Sequence, residues 1–140
     1  MTVTFNSDTI GLITFFENLT GAKVKDCVID EETNTVYFLI EEGYIGLAIG
    51  KNGTSVRNAE EMLKKKIKLI EFSQDMHKFI KNTIPKANDV VIKNEGEKVV
   101  VEIKVEKNDK AAVIGRDGKR LNIAREILRR NYKIDELIVK

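Results

Sequence analysis

AIGKNG (Ala48–Gly53) and VIGRDG (Val113–Gly118) stand 65 residues apart in a chain of 140. Each is an apolar run that ends in Ile, followed by Gly, a basic residue, a polar residue and Gly. At the same offset the register continues downstream. Val56 falls on Leu121, Ala59 on Ala124, Glu61 on Glu126, Met62 on Ile127 and Leu63 on Leu128, and Lys64-Lys65 on Arg129-Arg130. Matches at these spacings lie on the buried face of a helix, so they mark two copies of one unit rather than a chance tetrapeptide. A third match, GYIG (Gly43–Gly46), has no counterpart at that offset and carries no weight.

Working outward, each copy predicts the element order α-β-β-α-α-β. In the first, Asp8 or Ser7 can cap a helix with Leu12, Phe15, Phe16 and Leu19 inward, closed by Gly21. Val24–Ile29 and Thr35–Ile40 read as strands around a polar turn. Residues 43–49 read as a short apolar helix, Gly50–Gly53 as a break, residues 54–65 as a helix with Val56, Ala59, Met62 and Leu63 inward, and residues 67–72 as a strand. In the second, residues 74–83 form a helix ended by Pro85, and residues 89–93 and 98–105 form strands. Asn108 or Asp109 caps a short helix over 110–114. The break Gly115–Gly118, a long helix over 119–130 and a strand over 134–139 complete it. The expected fold class is α+β, as two domains, 1–73 and 74–140, with almost no linker and therefore packed on one another.

The chemistry suggested by the break is phosphate binding. Two helices joined by Gly-x-x-Gly leave a tight loop whose missing Cβ atoms admit a sugar-phosphate backbone. The loop runs into the N-terminus of the next helix, where N–H groups and the positive dipole end favour an anion. Lys51 and Arg116 add charge there. Ile45, Ala48 and Ile49 in one copy, and Ala111, Ala112 and Ile114 in the other, can line a groove for unpaired bases. Tyr44, beside the first groove, is a candidate stacking residue. Asp117 opposes a phosphate unless its side chain turns to cap the next helix, which is the favoured reading.

This arrangement resembles the KH fold, in which such a loop clamps a short run of backbone nucleotides. The helix and strand preceding the two-helix core resemble the type II, prokaryotic form. Two such domains over essentially all 140 residues are similar to the archaeal NusA-like transcription factors. The resemblance implies binding of single-stranded nascent RNA, RNA polymerase as a further partner, and an effect on transcription termination or antitermination. The implied RNA-binding residues are Gly50, Lys51, Asn52, Gly53, Thr54 and Arg57 in the first copy. In the second they are Gly115, Arg116, Asp117, Gly118, Lys119 and Arg120.

Charge fits that expectation once it is divided. The net +2 of the chain conceals −3 over residues 1–72 and +5 over 73–140. The loop–helix segments 43–68 and 107–133 carry +4 and +6. The single Cys27 excludes a disulfide framework, and one Cys with one His (His77) leaves too few soft ligands for zinc. Neither a Walker-type phosphate loop nor a nucleophile–base pair is present, so no catalytic residue, metal or cofactor is expected. The sequence shows neither a signal peptide nor a membrane span, which predicts an intracellular, cytoplasmic protein without membrane contact.

Blander readings compete at several positions. Arg125, Arg129, Arg130 and Lys64-Lys65-Lys66 fit a solvated helix face as well as phosphate contact. Asn52, Thr54 and Ser55 fit capping as well as phosphate donation. An alternative function is a KH module that docks on protein through its acidic first half (Glu31, Glu32, Glu41, Glu42), or serves ribosome assembly or RNA decay.

Overall fold

The computed structural model describes residues 7–140, with side chains from Thr9 onward. The side chains of Ser7 and Asp8, expected to cap the first helix, lie outside the described side chains. The chain divides into two compact units, Met1–Ser73 and Gln74–Lys140.

The first unit runs α1 (Ser7–Thr20), β1 (Val24–Asp30), β2 (Thr35–Ile40), α2 (Ile45–Ile49), a 3-10 turn (Lys51–Gly53), α3 (Thr54–Leu63) and β3 (Lys66–Glu71). β2 is central, antiparallel to β1 and parallel to β3, with Phe38 opposite Cys27 and Leu69. A parallel neighbour cannot be reached by a hairpin and requires a crossover. That crossover is α2, the turn and α3, so the Gly-x-x-Gly loop sits at its bend. Val36, Phe38 and Ile40 alternate inward from β2 onto Phe16, Ala48 and Ala59 of the three helices. Phe16 and Phe38 stack with ring centroids 4.4 Å apart and planes 18° apart, a contact that adds to their area burial.

α1 buries Thr9 and Phe16 and half-buries Leu12 and Ile13, the i, i+3, i+4, i+7 stripe of an amphipathic helix. Leu19, expected on this stripe, is 37% exposed. It stands at the edge of the stripe, about 60° from Phe16, in the last turn of the helix, and Ile13 packs inward. Gly21, at φ +77, ends the helix by donating its N–H to Glu17 O at 2.8 Å. α3 stops two residues short of the expected end because Lys64 turns left-handed at φ 55. Met62 in this last turn is 62% exposed rather than inward. Asn34 stitches the turn to the sheet. Its Nδ2 donates to Lys64 O at 2.8 Å, and its Oδ1 accepts from Lys65 Nζ at 2.9 Å.

The second unit runs α4 (Met76–Thr83), β4 (Ala87–Glu95), β5 (Lys98–Val105), α5 (Lys110–Ile114), a 3-10 turn (Arg116–Gly118), α6 (Lys119–Asn131) and β6 (Glu136–Val139). Its sheet order β4-β5-β6, antiparallel then parallel, repeats that of the first. Three differences from the expected bounds have local causes. α4 begins at Met76 because Asp75 is its N-cap, accepting from the N–H of His77. β4 and β5 zip up to Glu95 opposite Lys98, leaving a two-residue turn in which Gly96 takes φ +65. β6 starts only at Glu136 because the Asp135 carboxylate accepts the Val99 N–H at 2.7 Å. Asp109 occupies the N-cap position of α5, as expected, but makes no side-chain cap bond. Phe79, Ile80, Val101, Ile103, Ile127 and Leu128 are buried, and Tyr132 tilts against Phe79 at 5.7 Å.

Candidate nucleic-acid interface

Three of the four residues in each break have positive φ. Gly50, Asn52 and Gly53 stand at 78°, 55° and 75°, and Gly115, Asp117 and Gly118 at 77°, 56° and 75°. The backbone of the loop is thus the same in both units, and only Lys51 and Arg116 lack a positive φ. Within each loop Gly53 and Gly118 donate their N–H to Gly50 O and Gly115 O, at 3.1 and 3.3 Å.

The two glycines of each loop have different physical reasons. Gly50 at φ 78, ψ 172 and Gly115 at φ 77, ψ 177 occupy a region that is essentially glycine-only. A Cβ there would also lie 2.8 Å from Ser55 N in one loop and 2.8 Å from Arg120 Cβ in the other. The missing side chain at this place therefore admits the next helix, not a ligand. Gly53 and Gly118 are left-handed, and a Cβ on Gly118 would meet nothing within 4 Å, on Gly53 only Arg57 Nε at 3.9 Å. Room where a Cβ would stand is found at the second glycine of each loop and not at the first.

Asp117 does not cap α6. The N-cap is Gly118, without a side-chain cap bond. Asp117 is instead one of the few residue types that tolerate φ 56, ψ 28, as Asn52 does at φ 55, ψ 28. Its carboxylate is exposed at the bend beside exposed Arg116.

The structure brings Lys51, Asn52 and Thr54 together at an exposed bend, and Arg116, Asp117, Lys119 and Arg120 at the equivalent one. Thr54 Oγ1 donates to Lys51 O at 2.8 Å, and Arg120 Nη1 reaches Ala112 O at 3.5 Å. Arg57, one turn into α3, donates from Nη2 to Asn52 O at 2.6 Å and from Nε to Gly53 O at 3.2 Å. Farther along the helices the bland reading gains support. Arg129 and Arg130 pair with Glu126, and Arg125 donates to Asn122 Oδ1 and Leu137 O.

Beside the first loop the apolar surface is not quite the expected one. Ala48 is buried and Ile45 and Tyr44 pack on the core, whereas Leu47 and Ile49 are 53% and 42% exposed. Leu47 was missed in the sequence. The signal was its place two residues past Ile45, outside the i, i+3 pair Ile45 and Ala48 that faces inward. In the second unit Ala111 and Ala112 are exposed and Ile114 is half-buried, so that surface is shallower. Among the described residues no three His, Cys, Asp or Glu side chains gather as metal ligands, and no helix is long and apolar enough to cross a membrane.

Comparison with known proteins fits this geometry. The KH-domain family profile matches residues 12–86. The chain belongs to the KH-domain family. Among its KH relatives, a protein of Methanocaldococcus jannaschii named "Probable transcription termination protein NusA" is 40% identical over 98% of this chain and 75% of its own length. One of the same name from Halococcus morrhuae is 34% identical over 98% of both chains. The crystal structure of APE1850 matches with a TM-score of 0.76 at 31% identity, over 97% of this chain and 100% of that one.

Proposed function

We propose that this KH protein is an RNA-binding transcription factor with two tandem type II KH domains, 1–73 and 74–140. They take single-stranded nascent RNA through the two Gly-x-x-Gly loops. The observation that carries this reading is the recurrence of one unusual loop backbone, Gly50, Asn52, Gly53 and again Gly115, Asp117, Gly118, at matching φ values. Repetition of a costly left-handed run in two units is not needed for a plain helix–helix turn. The archaeal relatives are named for transcription termination, which supports a role in transcription; the proposal extends this to termination or antitermination, with RNA polymerase as the second partner.

In this reading Lys51 and Arg116 place charge on the phosphates. Gly53 and Gly118 let the backbone close in, and the first turns of α3 and α6 supply N–H groups and the positive dipole end. Thr54, Lys119 and Arg120 lie within a turn of that point. Leu47 and Ile49 offer an apolar surface to unpaired bases beside the first loop. Filter binding of single-stranded against double-stranded RNA tests this. Preference for the single strand supports it, and equal or absent binding would turn the function towards a protein-docking module.

A further inference from the structure

The two loops share a backbone but not its support. In the first unit Arg57 forks onto two successive carbonyls, Asn52 O through Nη2 at 2.6 Å and Gly53 O through Nε at 3.2 Å. Both carbonyls belong to left-handed residues. A guanidinium has a fixed donor fork, so two simultaneous bonds restrain the orientation of both peptide groups, which a flexible ammonium does not do. The equivalent place in the second unit, 65 residues on, is Asn122, which has no guanidinium and whose Oδ1 is taken by Arg125 Nη1 at 3.2 Å. The second loop also carries Asp117, where the first has neutral Asn52.

Charge alone ranks the units the other way, with net +6 around the second loop and +4 around the first. We propose that Arg57 is a positioning residue that pre-orders the first loop and makes it the tighter clamp on the RNA backbone, while the second unit contributes chiefly through its charge. The inference rests on the RNA-binding reading above. Its physical basis is that a ligand meeting a loop already held in its bound form loses less freedom on binding. Arg57 then acts through the loop carbonyls and not as one more phosphate contact.

The test uses the full chain, a short uridine-rich single-stranded RNA and fluorescence anisotropy across a salt series, with Arg57→Lys and Arg57→Gln beside wild type. Lys keeps the charge and loses the fork. Both variants are expected to weaken binding about fivefold to tenfold, with the salt slope of Arg57→Lys equal to that of wild type. Wild-type affinity in Arg57→Lys, together with a shallower slope in Arg57→Gln, would make Arg57 an ordinary phosphate contact and overturn the proposal. Amide exchange supplies the second arm. The Gly53 and Thr54 amides should exchange more slowly than those of Gly118 and Lys119, and Arg57→Lys should erase the difference. Equal rates in wild type would overturn it too. A wild-type chain that binds no single-stranded RNA removes the underlying reading, whereas wild-type binding left unchanged by Arg57→Lys removes only the positioning role.

Discussion

Asn52 and Asp117 hold the same left-handed backbone, φ 55, ψ 28 and φ 56, ψ 28, at equivalent points of two loops, yet one is neutral and the other acidic. Backbone demand explains why both are Asx residues, since their short polar side chains tolerate this region. It does not require the charge. Asp117→Asn should leave the melting temperature within about 1 °C of wild type and raise affinity for single-stranded RNA about threefold at low salt, because a carboxylate no longer faces phosphate. Anisotropy measured beside thermal melts checks both halves. Unchanged affinity would mean that the second loop does not meet the RNA backbone.

The glycines should respond unequally. Gly50→Ala puts a Cβ against Ser55 in a glycine-only region and should lower stability by about 2–3 kcal/mol in urea denaturation. Gly53→Asn keeps a left-handed conformation with the nearest atom 3.9 Å away, and should cost about 1 kcal/mol or less. The second variant is the one expected to impair RNA binding in a well-folded chain. Equal destabilisation by the two would contradict the division of roles.

Much of this was legible in the sequence, for identifiable reasons. The offset of 65 works because buried positions on α3 and α6 constrain residue type, as at Ala59 and Ala124, both buried. Glycines at 50, 53, 115 and 118 were legible because few other residues take those φ values. Side-chain direction at helix ends was not. Met62 matches buried Ile127 in sequence, but α3 ends one residue later, and periodicity carries no information about where a helix stops. The fork of Arg57 was invisible as well. Its bonds depend on carbonyls turned outward by the left-handed residues, a feature that spacing does not encode. The capping role expected for Asp117 failed for the same reason, since residue preference at caps and at left-handed bends overlaps.

Asp75 caps α4 by accepting from the N–H groups of His77 and Lys78, at 3.0 and 3.5 Å. Asp75→Ala should cost about 1 kcal/mol, and Asp75→Ser should recover most of it. Chemical denaturation of the three proteins reads this directly. Equal stability of all three would show that the cap is not what starts the helix at Met76.

Glu102 on β5 bridges Lys93 at 2.9 Å and Lys140 at 3.0 Å. The hydrogen bond from Lys93, then that from Lys140, holds the Glu102 carboxyl below its usual range, and the Glu102 hydrogen bond raises Lys93. A lowered carboxyl pKa contributes stability above the unfolded carboxylate range and loses it as pH falls through the folded value. The raised lysine pKa contributes below the unfolded lysine range and loses it as pH rises through the folded one. Glu102→Gln should therefore melt slightly lower than wild type at neutral pH, with the gap closing in acid and shrinking in high salt. A gap that persists unchanged in acid would assign the effect to packing.

The most direct measurement is the salt dependence of single-stranded RNA binding by the full chain, compared with a variant whose loops are both made acidic by Lys51→Glu, Asn52→Asp and Arg116→Glu. If each unit engages about 3–4 phosphates, log K should fall against log salt with a slope of roughly −4 to −6 in wild type. The variant should lose most of its affinity and flatten that slope while still folding. A flat response in wild type, or undiminished binding by the variant, would contradict RNA binding through these loops.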